Sequence, residues 1–182
     1  MKVNNPVDTS SGGDGKFIDS REIKLASKDG GKGLKLRLHG DANMGYSYYQ
    51  NTDEGKVRVV RSAQVPVMED PTDGWQGAEQ KPTKNLYILC WNYATQAPAV
   101  LNLDKVGLIN GVLAINDDKD LKEVTAYDLK FTNDKEAAPQ DQYKVVRLEA
   151  TKLNAKQTKS LKEFAAKVDL AAYADGEDIE VF

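Results

Sequence analysis

The chain has 182 residues, of which 40% are hydrophobic and 29% charged, a length and balance that suit one globular domain with its own core. A single cysteine, Cys90, excludes an intrachain disulfide, and one histidine with one thiol falls short of a zinc ligand set. The net charge of -3 is unevenly placed: four of the 28 carboxylates lie in the last eight residues, so the first 174 hold 25 basic against 24 acidic side chains.

Met1 to Gly15 is polar, rich in Gly and Ser and without periodicity, which predicts a flexible arm. No apolar run approaches the roughly 20 residues that span a bilayer, and this start lacks a signal-peptide core. The expectation is a cytoplasmic protein without a membrane segment.

Structure is predicted to begin after Lys16, with Phe17, Ile18, Ile23 and Leu25 as first anchors. Gly33 to His39 alternates strictly, placing Leu34, Leu36 and Leu38 on one strand face and Lys35 and Arg37 on the other. Met44 to Gln50 and Lys56 to Arg61 read as a hairpin across residues 51–55, bringing Tyr46, Tyr48 and Tyr49 beside Lys56, Arg58 and Arg61. The prolines and glycines of Val65 to Thr83 predict a long loop carrying Trp75, and loops of that length tend to serve a function or lack order.

Lys84 to Tyr93 is the strongest strand, apolar on both faces. That pattern suits a central strand covered on both sides, and equally one with an aromatic face of Tyr87, Trp91 and Tyr93 offered to a ligand. A short strand, Ala99 to Leu103, leads to a helix over Lys105 to Ile115 with Asp104 as N-cap, weakened by Gly107 and Gly111. Tyr127 to Thr132 and Tyr143 to Glu149 read as a second antiparallel pair, and Thr158 to Val168 as an amphipathic helix with a lysine-rich outer side.

The chemistry of an enzyme is not legible. Gly15-Lys16-Phe17 and Gly31-Lys32-Gly33 lack the Ser or Thr of a phosphate loop, His39 stands alone at a strand end, and Asp117, Asp118 and Asp120 lack the glycine and closing glutamate of a calcium loop. The expectation is a non-enzymatic binding protein without metal or cofactor.

Five short motifs, in order, resemble the single-stranded DNA-binding proteins of tailed bacteriophages: Gly45-Tyr46-Ser47-Tyr48, Asp73-Gly74-Trp75, Trp91-Asn92-Tyr93, Val100-Leu101-Asn102-Leu103 and Tyr127-Asp128-Leu129-Lys130. The likeness spans roughly residues 33 to 150. It implies a mainly β fold with a few helices, an OB-like antiparallel barrel over residues 16–150 with one inserted helix; the residue pattern itself adds a helical extension (151–174) and an acidic tail (175–182). Sequence-independent binding of single-stranded DNA in phage-type replication, repair or recombination would follow. Such binding needs cations for phosphates and aromatics for bases, and the candidates are Lys35, Arg37, Lys56, Arg58 and Arg61 with Tyr46, Tyr48, Trp75, Trp91 and Tyr93. Separately, Asp178, Ile179, Glu180 and Phe182 resemble the acidic tip of bacterial single-stranded DNA-binding proteins, which implies replication or repair partners. Self-association is compatible with either likeness. The rival expectation is a β-sandwich structural or carbohydrate-binding module using Tyr46, Tyr48, Trp75 and Trp91 as a sugar platform.

Overall fold

In the computed structural model of the chain, residues 16–55, 57–68, 70–71 and 79–178 are described. The expected arm at residues 1–15, Lys56, Trp75 with its Asp-Gly-Trp motif, and the tip residues Ile179, Glu180 and Phe182 lie outside them.

The alternating leucines do form a strand, but a longer one than the pattern suggests. β2 runs unbroken over Leu34–Asn51 because its ladder absorbs extra residues where the pairing steps from His39 opposite Leu89 to Asn43 opposite Tyr87. Gly40 sits there at φ 70°, a backbone state open to glycine, and such a bulge bends the strand without ending it. Bending gives β2 different neighbours along its length. Its first half pairs with β6 (Asp128–Asn133), its second half with β3 (Val57–Ser62), and both halves with β4 (Thr83–Asn92). β5 (Ala97–Leu103) adds to β4, the short β1 (Phe17–Ile18) pairs in parallel with β5, and β7 (Tyr143–Leu148) closes the other edge.

The fold is mainly β with a few helices, as the sequence predicts, and four α-helices stand among the described residues, two more than the pattern places. The barrel is a correction: the seven strands make one mixed sheet, ordered β1-β5-β4-β2-β6-β7 with β3 on the second half of β2, and it is not closed. Helices, not a second sheet, cover its two faces.

α1 (Ser20–Ala26) and α2 (Val106–Asp117) lie on the face lined by Leu36, Leu38, Ile88, Leu101, Leu129 and Phe131, the larger core. α3 (Ala155–Ala165) and α4 (Leu170–Ala174) lie on the opposite face, over Tyr87, Leu89 and Val100. β4 is therefore the covered central strand, the first of the two readings of its pattern.

Local chemistry explains the helix ends. Asp19 accepts from the Arg21 amide at 2.8 Å to start α1, which the sequence pattern missed because the helix is only seven residues long. Asn154 and Gln157 form a reciprocal capping box that begins α3 three residues before the expected Thr158. Asp104 does not cap α2; its carboxylate pairs with Lys105 at 3.0 Å. The glycines that weaken α2 on propensity are packing residues. A Cβ on Gly111 would stand 2.8 Å from Val145 Cγ2, and one on Gly107 would stand 3.0 Å from the Tyr143 carbonyl oxygen, so both let α2 lie close on β7.

Candidate nucleic-acid interface

Residues directly opposite one another in a ladder share a face, so the register sorts the expected site residues. Lys35, Arg37 and Arg61 point to the α4 face, whereas Tyr46, Tyr48 and Arg58 point to the α2 face. Arg58 and Arg61, three positions apart on one strand, cannot line a common groove. Of the candidate cations that are described, Lys35, Arg37 and Arg61 thus share one face and Arg58 lies on the other.

The α4 face is covered only in part. α3 and α4 lie over β4, β5 and the second half of β2, while beyond them, on β7, Lys144 is exposed and Val146 is 46% exposed. In this open quarter the register sets Lys35 beside Lys130 and Lys130 beside Val146, with Thr132 beside Lys144 one row away. Arg37, Asp128 and Leu148 form the next row. Among the strand positions of this quarter stand four cations, Lys35, Arg37, Lys130 and Lys144, against one carboxylate, Asp128.

That carboxylate is fully buried and organises the patch. Asp128 Oδ1 accepts from Arg37 Nε at 2.6 Å and from the Tyr93 hydroxyl at 2.8 Å; Oδ2 accepts from the Thr151 amide at 3.0 Å and pairs with Lys35 Nζ at 2.8 Å. Burial alone would raise its pKa, but the bonds from Lys35, the Thr151 amide and Tyr93 outweigh it and hold the carboxyl down at about 2. Burial, and then donation to this anion, raise the Tyr93 hydroxyl to about 12. Lys35 Nζ also lies 4.5 Å from the Tyr93 ring centroid. Arg37 Nη2 and Lys35 Nζ reach on to the Thr151 carbonyl and hydroxyl at 3.0 and 2.7 Å, so the same cluster fastens the β7–α3 connection to the sheet.

The other expected residues divide. Trp91 is 3% exposed beneath this face and has no ring surface open to a base, so its role is packing. Arg61 is held by the chain's own C-terminal segment: its guanidinium lies 4.1 Å from the Tyr173 ring centroid and donates to the Tyr173 carbonyl at 3.0 Å and to Asp178 at 2.9 Å. Tyr46 and Tyr48 are half-exposed, flanked through the ladder by Ser62 and Lys84 and by Val60, with Arg58 donating to Gln50 at 2.9 Å beyond them.

Lys130 and Lys144 were missed by the sequence reading. The alternation Asp128-Leu129-Lys130-Phe131 and Tyr143-Lys144-Val145-Val146 carries the signal, but which face stays open depends on where α3 and α4 fall. Cys90 is buried with its thiol pKa raised by desolvation, so it packs as an apolar side chain. Among the described residues no cluster of three His, Cys, Asp or Glu could hold a metal ion, and no helix is long and apolar enough to cross a membrane.

Comparison with family models, with curated proteins and with solved structures returned no match.

Proposed function

We propose that the protein binds single-stranded DNA without sequence preference and without catalysis, through the open outer face of β2, β6 and β7. The observation that carries this reading is the row-by-row register that sets Lys35, Arg37, Lys130 and Lys144 on one open face, the first two of them held by the buried Asp128. Four cations there exceed what Asp128 neutralises, and a polyanion supplies the missing charge. Tyr93 lies at the rim as the one aromatic of the expected set on this patch, while Tyr46 and Tyr48 offer a separate, half-exposed pair on the other face. The phage-type motifs support the same reading, as does the acidic end for recruitment of replication or repair proteins.

The test is a Lys130→Gln/Lys144→Gln variant titrated against labelled oligo-dT. Both residues lack buried polar partners, so the variant keeps the fold, weakens binding and flattens the log-log salt dependence by about 1.4, from about 0.7 per phosphate on a single strand. Unchanged affinity and slope would remove this face from the reading.

A further inference from the structure

The strands do not hold all of the basic surface. Between Lys152 and Lys167 the chain has five lysines, all exposed, against one carboxylate, Glu163. Packing sets this pattern: Leu161 is buried and Phe164 and Ala165 turn toward the core over β4 and β5, so the rest of α3 faces water. Solubility alone does not call for a groove, yet one is present. It has a volume of about 560 Å³, with Leu153, Ala155 and Thr158 along it and Lys152, Lys159 and Lys162 around it. Glu163 also borders it and stands 3.7 Å from Lys159, an exposed pair that salt and water weaken.

This groove adjoins the basic face. It begins one residue after Thr151, the residue bound by Lys35, Arg37 and the Asp128 carboxylate. On its other side the first turn of α3 is tied to the turn beyond Tyr93 by Gln157 Nε2 donating to Gln96 Oε1 at 2.8 Å. Charge-assisted bonds thus tie the sheet patch to Thr151, and the chain continues from there through residues 152–154 into the first turn of α3.

We infer that the groove along α3 is the second half of the nucleic-acid site, taking the stretch of single strand that leaves the β2–β6–β7 face. Lys152, Lys159 and Lys162 meet its phosphates, and Leu153 and Ala155 give a base or sugar an apolar floor. The inference rests on the proposed function and adds to it a direction for the strand and a site longer than the sheet patch. Single-stranded DNA is the occupant that fits both the continuity with the sheet patch and the mixture of cations with an apolar floor.

The experiment compares wild type with Lys152→Gln/Lys159→Gln/Lys162→Gln on oligo-dT of about six and about 25 nucleotides, lengths that bracket one domain's footprint. Glutamine keeps the helix propensity and most of the aliphatic stem, and all three positions are exposed, so the thermal transition serves as the fold control. The inference predicts unchanged binding of the short oligonucleotide. For the long one it predicts at least about tenfold weaker binding and a salt slope flatter by about 2, from three phosphate contacts at about 0.7 each. Equal behaviour of variant and wild type on the long oligonucleotide, or equal loss on both lengths, overturns it. If Lys130→Gln/Lys144→Gln weakens binding while the α3 variant does not, the groove alone is wrong. Failure of wild type to bind either length instead removes the function on which the inference rests.

Discussion

Asp128 decides more of the site than any other single residue. It is a buried anion whose two oxygens bind Arg37, Tyr93, the Thr151 amide and Lys35, so it orients two cations and the chain connection in one contact set. Because its pKa falls from 3.8 to about 2 on folding, the stability it supplies is fully present above about pH 4 and is lost as pH falls toward 2. That shift corresponds to about 2 kcal/mol. Asp128→Asn should therefore lower stability by about that amount at pH 7 and by little at pH 2, read from urea denaturation at the two pH values. An equal loss at both would show that the carboxylate's charge is not what matters. In the sequence this residue stands out only as a member of the Tyr127-Asp128-Leu129-Lys130 motif, with no partner assigned to it. Its role depends on Lys35 and Arg37, about ninety residues away, and on the later Thr151, and no local pattern encodes such a meeting.

At the scale of elements, α2 and β7 illustrate how a poor local propensity becomes a good tertiary fit. Two glycines in a twelve-residue helix cost roughly 1 kcal/mol each relative to alanine in isolation. Here a Cβ on Gly111 would meet Val145 at a distance that forces movement, and one on Gly107 would crowd the Tyr143 carbonyl. Gly111→Ala should destabilise the protein by about 1 to 3 kcal/mol despite its better propensity, because a stiff valine must shift. Combining it with Val145→Ala should recover part of the loss, in a double-mutant cycle followed by thermal denaturation. A stabilising Gly111→Ala would mean that the helix and strand are not in close contact. The same logic separates what could be read in advance from what could not. β6, β7 and the leucine half of β2 follow from alternation and β4 from its continuous apolar run, whereas the length of β2 follows from a bulge at Gly40. β1, α1 and α4 escaped because two, seven and five residues are too few to show a period.

The described residues form one bent sheet with helices on both faces, and its asymmetry of cover is what creates the proposed site. α1 and α2 protect one face; α3 and α4 protect only part of the other and leave a basic quarter of it open, and a lysine-bordered groove runs along α3. The sequence revealed strand-borne cations and an acidic end. It did not reveal which cations share a face, because that depends on parity across ladders, nor that Arg61 is already held against Tyr173 and Asp178. Nor did it reveal that Trp91 is buried, since a buried and a ligand-facing aromatic have the same alternation. The most direct test of the account is a fluorescence-anisotropy titration of full-length protein with labelled oligo-dT and with the matching duplex at several salt concentrations. Binding that favours the single strand, with a log-log salt slope of about -3 from four cations on the sheet patch or steeper with the α3 groove engaged, is the predicted result. No binding at low salt, or equal binding to duplex, would contradict it.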